Sequence, residues 1–190
     1  MNYRRGALGA ATVCVASLVA TSSAATDGPN VQGHPLFAQA EGHAAVLNDD
    51  TRSNLIAGGF GYALRVGWRW DHLGVFAQGG QDAWFATGIR RNFDPGVLNL
   101  GLGAEFRYFD ERVRSSVAGG TSTLLFDTPL DDAGTTGWFA NLRPAGFRWS
   151  LTDHVALELH PVSFMIMQPV TKQERLTKVE YQTVLALEIN

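Results

Sequence analysis

The sequence predicts an all-β protein: an eight-stranded antiparallel up-and-down transmembrane β-barrel, preceded by a cleaved signal peptide. Three observations support this fold class. Short runs of residues alternate between apolar side chains and small or polar ones, with the two-residue period of a strand. The connections between these runs alternate between long and short, as in a meander that closes on itself. Beyond the N-terminal segment, no stretch is apolar enough for a transmembrane helix.

The N-terminal segment has the three parts of a secretory signal peptide. "MNYRR" is a basic n-region, "GALGAATVCVASLVA" is an apolar h-region, and "TSSAA" offers small residues for cleavage after Ala24 or Ala25. The apolar run is shorter than the ~20 residues of a spanning helix. We therefore expect a signal peptide over residues 1–25 and one barrel domain over 26–190; a retained anchor or lipidation at Cys14 are the alternatives. Because Cys14 is the one cysteine, we expect no disulfide in the mature domain.

Eight alternating runs follow, and each is expected to form one strand. In "GGFGYALRVGWRW", residues 58–70, one face is apolar and aromatic, whereas the other is small or cationic and carries Arg65 and Arg69. "VLNLGLGAEFRYF" and "KVEYQTVLALEI" alternate as clearly. The run with Pro144 and Gly146 is expected to contain a bulge, which leaves its facing undecided. The predicted strands are 36–47, 55–70, 73–86, 97–109, 112–125, 137–150, 154–167 and 178–189.

The connections distinguish the two ends of the predicted barrel. "NDDTRSN", "TGIRRNFDPG", "FDTPLDDAGTT" and "QPVTKQERLT" are long, whereas "DH" at 71–72, the turn at 110–111 and "TD" at 152–153 are short. Four long loops at one end and three tight turns at the other describe an up-and-down meander.

Residue size indicates which face points inward. The interior of an eight-stranded barrel is just wide enough for side chains, so the aromatic face would crowd it and the glycine-rich face would fit. Arg65 and Arg69 would then need buried acidic partners, for which Glu105, Glu158, Glu180 and Glu188 are available. A soluble barrel with the aromatic face around a ligand is the alternative. The lumen ion-pair candidates are Arg65, Arg69, Glu105, Arg107, Glu158, His160, Glu180 and Glu188.

Aromatic residues lie toward both ends of the predicted strands, as in the aromatic belts of membrane barrels. Some are beside the short turns and others are near the long loops. The alternative is ordinary packing of strand aromatics in a core. The candidates for interface aromatics are Trp68, Trp70, Trp84, Tyr108, Trp138 and Trp149.

Through its signal segment, strand rhythm, loop asymmetry and closing run "VEYQTVLALEI", the sequence resembles the small eight-stranded outer-membrane β-barrel proteins of the OmpA/OmpX-like class. The resemblance implies the outer membrane of a Gram-negative cell, long loops outside, contact with lipids and lipopolysaccharide, and insertion by the barrel assembly machinery. Such proteins usually end in an aromatic residue, whereas this sequence ends in Asn190. Loop cations that could meet lipopolysaccharide phosphates are Arg90, Arg91, Lys172 and Arg175.

The sequence predicts no catalytic residue, no metal site and no cofactor. Glu158 and His160 share a face and Ser163 follows, but on a regular strand the serine points away from the histidine; a bulge at Pro161 would change this. The remaining histidines have no metal-ligand spacing, and the loop aspartates have no EF-hand spacing. The net charge of −3 offers no basic surface to nucleic acid.

We therefore expect a protein that is not an enzyme, with a polar, filled lumen and a structural or surface-interaction role. An extracellular partner would bind through the long loops. Two alternatives stay open: a lipid A-modifying or acyl-transfer barrel enzyme, and a narrow conduit or binder for small hydrophobic molecules.

Overall fold

In a computed structural model, the chain forms a closed barrel of eight antiparallel strands in sequence order, with the first strand paired to the last. The structure describes residues 35–49, 55–85, 93–125, 136–168 and 177–190. The expected signal peptide and most of the four long loops lie outside these residues. Within them, no helix has the length and apolarity needed to cross a membrane. The strands are β1 Leu36–Asp49, β2 Leu55–Trp70, β3 Leu73–Phe85, β4 Phe93–Tyr108, β5 Val113–Leu124, β6 Thr136–Ser150, β7 Val155–Gln168 and β8 Lys178–Ile189.

The predicted strand number, order and antiparallel topology are confirmed. The largest difference in a boundary is at β4, which begins at Phe93 and not at residue 97. The register between β3 and β4 shifts between Asp82 and Trp84. This irregularity allows the strand to continue through Pro95, where the sequence pattern predicts a loop.

Short turns close one end of the barrel, and several of their residues have left-handed backbone conformations. The φ angle is 38° at Asp71, 51° at Phe109, 54° at Asp110 and 67° at Glu111. This region is unfavourable for residues with a Cβ and is tolerated best by Asp and Asn. In the turn between β4 and β5, the Arg112 amide donates to the Phe109 carbonyl at 3.2 Å.

The outer face of the barrel is a continuous apolar surface. Tyr62 and Val66 are each 55% exposed, and Leu102 is 71% exposed. Soluble monomers rarely expose apolar patches larger than a few hundred Å², whereas a closed barrel with all strand edges paired can present such a surface to lipid. Further exposed apolar residues are Phe60, Leu64, Val75, Leu100, Phe106, Val117, Leu142, Phe164, Ile166, Leu185 and Leu187.

The interior contains apolar as well as charged side chains, so the expectation of a polar lumen is incomplete. The buried apolar cluster consists of Phe37, Phe76, Val97, Ala118, Leu124, Phe139, Met165 and Met167. These side chains fit because neighbouring inward positions have no side chain. A Cβ on Gly67 would lie 2.5 Å from Phe37 Cε1, and one on Gly103 would lie 2.4 Å from Phe76 Cζ. The inward glycines therefore provide space for aromatic rings from adjacent strands.

Irregularities in β6 change which of its residues face inward. The register between β6 and β7 shifts between Leu142 and Ala145, and again before Phe147. Before the irregularity the buried residues are odd-numbered and include Arg143; after it the buried residue is Gly146. The predicted bulge is present, and it reverses the inside–outside alternation of the strand.

A second irregularity lies in β7. The β7–β8 register shifts between His160 and Ser163, and both of these residues are buried. Pro161 and Val162, between them, are both exposed. A regular strand would separate His160 and Ser163 onto opposite faces, and here both point inward.

Candidate functional site in the barrel interior

Glu188, on β8, is the centre of a buried network of charged side chains. Its carboxylate lies 2.5 Å from Arg69 Nη2 and 3.1 Å from Arg148 Nε. Arg114 Nη2 donates to Glu188 Oε1 at 3.2 Å. These charge-assisted contacts are stronger than neutral hydrogen bonds. The three arginines belong to β2, β5 and β6, so the network joins β8 to strands with which it does not pair.

Two further carboxylates balance the charge of these arginines. Arg69 Nε lies 2.5 Å from Glu105 Oε1, and Arg114 Nη1 lies 3.2 Å from Glu158 Oε2. The other oxygen of Glu158 is 2.5 Å from His160 Nε2. Buried charges of both signs therefore meet, as the desolvation cost of each one requires.

A second ion-pair group joins β1, β2 and β6. Glu41 Oε1 lies 2.9 Å from Arg65 Nε and 2.7 Å from Arg143 Nη1. Arg143 Nη2 also donates to the other Glu41 oxygen at 2.8 Å, which makes this pair bidentate. The Arg65 guanidinium carbon lies 4.4 Å from the centroid of the Phe76 ring, a cation–π arrangement.

The structure places all eight lumen candidates among the buried residues: Arg65, Arg69, Glu105, Arg107, Glu158, His160, Glu180 and Glu188. It brings together Arg69 with Glu105 and Glu188. The ion pair of Arg65, in contrast, is with Glu41, which is not among the four acids considered as its partners.

Besides Arg65, two further candidates lie away from the Glu188 network. Arg107 contacts Glu111 and the carbonyl of Asp71 beside the short turns. Glu180 lies near His43 and Asp82 in another part of the interior.

The sequence pattern does not identify several inward-facing residues of these groups. Arg143 and Arg148 lie on either side of the β6 bulge, where two-residue alternation gives no consistent inner face. Arg114 belongs to a run with few apolar residues, so the two faces of this strand differ too little in polarity to show which one points inward. Glu41 is on the same face of its strand as Gln39 and His43. Pairing of this face with the predicted inner face of β2 would have indicated that Glu41 also points inward.

Ser163 and His160 both face inward, but the structure does not join them. Ser163 Oγ accepts a hydrogen bond from Asn141 Nδ2 at 3.1 Å and donates to Gln182 Oε1 at 3.4 Å. His160 Nε2 contacts Glu158. A serine nucleophile requires hydrogen-bond contact with its base, and these two side chains are engaged with other partners.

Five of the six aromatic candidates are about half exposed on the outer face. Four of them lie beside the short turns: Trp68, Trp70, Tyr108 and Trp149. Trp138 lies near the start of β6, toward the long loops. The side chain of Trp84 lies outside the part of the chain that the structure describes.

Comparison with known proteins places this geometry among solved folds. No protein family and no curated protein matches the sequence. Neisserial surface protein A matches the structure with a TM-score of 0.58 and 12% sequence identity, over 82% of this chain and 97% of that protein. The chain has the fold of the small outer-membrane β-barrels.

A second solved structure that is similar to this chain is that of Ail, the attachment invasion locus protein of Yersinia pestis, in complex with the heparin analogue sucrose octasulfate. It is 13% identical, covers 81% of this chain and 98% of Ail, and has a TM-score of 0.47.

Proposed function

We propose that this chain is an outer-membrane β-barrel protein of a Gram-negative envelope with a structural or surface-interaction role. The observation that carries the proposal is the contrast between its two faces. The outer face is apolar, as contact with lipid requires, and ion pairs and phenylalanine rings occupy the interior. A lumen that is filled by side chains supports a structural role and argues against transport through the barrel. Lipids and lipopolysaccharide would surround the barrel, the assembly machinery would insert it, and the long loops would meet an extracellular partner.

Fractionation and heat-modifiability on gels test this proposal. The protein should stay in the membrane fraction after high-salt and alkaline washing, and should migrate faster unheated than boiled, because a closed barrel resists detergent until it is heated. The matched control is a soluble periplasmic protein from the same cells. Recovery of the chain in the soluble periplasmic fraction would contradict the proposal.

Conductance measurements separate the structural role from the conduit alternative. In planar lipid bilayers we expect no stepwise ion conductance from the purified barrel, because Arg69, Arg114 and Glu188 cross-link the lumen. Sustained single-channel steps from the purified protein would favour a conduit.

We further propose that the protein is not an enzyme. The support is the hydrogen bonding of Ser163, which is directed to Asn141 and Gln182 and away from His160. Mass spectrometry of lipid A should show the same species in cells that express wild type and the His160→Ala variant, with folding checked by heat-modifiability. A change in acylation that depends on His160 would favour the lipid-modifying alternative.

A further inference from the structure

Three metal-ligating side chains meet in the interior, apart from the arginine network. His43 on β1, Asp82 on β3 and Glu180 on β8 each offer one ligand atom, and these atoms lie within 4.8 Å of one another. His43 Nε2 is 2.5 Å from Asp82 Oδ1. The residues are 8%, 2% and 0% exposed, respectively. An imidazole and two carboxylates are therefore held together away from solvent.

Asn99, on β4, points into the same cluster and has an unsatisfied oxygen. Its Nδ2 lies 2.6 Å from Asp82 Oδ2, and its Oδ1 is buried without a hydrogen-bond partner. Buried acceptors without partners are rare in folded proteins and call for an explanation. Since the oxygen and nitrogen of an Asn amide exchange places on rotation about χ2, the carboxamide can present Oδ1 to the cluster.

The backbone of β2 leaves room at the point where these ligand atoms meet. Gly61 pairs with His43 on one side and with Asp82 on the other. A Cβ at this position would lie 2.3 Å from His43 Nε2 and 2.5 Å from Asp82 Oδ1. The contact between the imidazole and the carboxylate therefore depends on the absence of a side chain at residue 61.

The charge of the cluster favours a cation. Within the cluster, the ion pair of Asp82 is with His43. The two carboxylates carry two negative charges, of which the buried ammonium group of Lys178, on the same face of β8, can offset one. A divalent ion would neutralise both carboxylates while the imidazole stays neutral.

We propose that His43, Asp82 and Glu180, with Asn99 as a fourth ligand, bind a divalent transition-metal cation of the Zn²⁺ class. Imidazole nitrogen and carboxylate oxygen are ligands that Zn²⁺ accepts. Bonds of about 2.0–2.2 Å in a tetrahedral site place ligand atoms about 3.3–3.6 Å apart. To reach this geometry, the contact between His43 Nε2 and Asp82 Oδ1 would lengthen from 2.5 Å, and ligand atoms that lie up to 4.8 Å apart would approach one another. The ion would tie together β1, β3, β4 and β8.

Titration with Zn²⁺ tests the site in the folded barrel. The mature protein, refolded in detergent and stripped with EDTA, should bind one equivalent of Zn²⁺ in calorimetry and after dialysis with metal analysis. His43→Gln, Asp82→Asn and Glu180→Gln should each lower the affinity about tenfold or more. Gly61→Ala removes no ligand but places a methyl group between His43 and Asp82, and should weaken binding in the same way.

The matched control is His160→Gln, which alters the other buried histidine–carboxylate pair and should leave Zn²⁺ binding unchanged. Heat-modifiability establishes that each variant is folded. The proposal is overturned if the wild type binds no Zn²⁺, or if His43→Gln and His160→Gln behave alike. It is also overturned if binding is lost on substitution of the exposed His72 or His154, which would place the ion on the surface.

Discussion

Replacement of Glu188 by glutamine should destabilise the barrel strongly, because this buried carboxylate compensates three arginines. Glu188→Gln keeps the shape and one acceptor oxygen but removes the charge that faces Arg69, Arg114 and Arg148. Breaking a buried ion pair by removing one partner costs about 3–5 kcal/mol. The retained hydrogen-bond acceptor places the expected loss of unfolding free energy near the lower end, ~3 kcal/mol.

Urea unfolding in lipid vesicles, followed by tryptophan fluorescence, measures this loss. With an m-value of about 1–3 kcal/mol/M, the unfolding midpoint should fall by at least about 1 M. Glu111→Gln is the matched control, since Glu111 also pairs with an arginine, Arg107, but its side chain is 37% exposed. Because solvent reaches the Glu111 carboxylate although Arg107 is buried, we expect Glu111→Gln to cost less than Glu188→Gln, about 1 kcal/mol. A loss below 1 kcal/mol for Glu188→Gln, or equal losses in the two variants, would refute the reasoning.

Three other predictions concern the two faces and the orientation of the barrel. Leu102→Arg places a charge on the most exposed apolar position of β4 and should reduce stability in bilayers by about 2–4 kcal/mol, whereas Tyr108→Arg beside the turn should cost about 0–1 kcal/mol; equal losses would argue against a lipid-facing belt. Gly103→Val should destabilise by about 1–3 kcal/mol through overlap with the Phe76 ring. Adding Phe76→Ala should cost less than the sum of the single losses, and simple additivity in this double-mutant cycle would contradict that contact. A tag in the long loop between β7 and β8 should be labelled on intact cells, while one in the β2–β3 turn should need permeabilisation; the reverse pattern would invert the proposed orientation.

The sequence could predict which side chains of the regular strands point into the barrel, but it could not predict which of these side chains contact one another. On β2 and β8 the strict alternation places Arg69 and Glu188 on the inner face, because a strand turns successive side chains to opposite sides. Their contact, however, joins residues 119 positions apart. It depends on the register of every strand between them, which no single run specifies.

Bulges set the second limit on prediction. The sequence indicates an irregularity near Pro144, but one extra residue reverses the alternation and hence the face of everything that follows. For the same reason, the inward direction of Ser163 depends on whether the strand bulges at Pro161.

The sequence does not predict the candidate metal cluster, for a different reason. Its ligands come from separate strands, one each, so no spacing between His43 and the next ligand resembles a motif. The usable signal would have been Gly61 opposite His43, a small residue facing a large polar one across a strand pair.

The position of Glu188 on the last strand has a consequence for the order of assembly. The arginines that it contacts lie on β2, β5 and β6, which all precede β8 in the chain. Before β8 joins the sheet, Arg69, Arg114 and Arg148 therefore lack the carboxylate that contacts all three of them. Water can solvate them only while the lumen is open, so docking of β8 against β1 must expel water and supply the carboxylate in one step. We therefore expect closure to be cooperative, because intermediates that lack β8 leave these arginines without the Glu188 carboxylate.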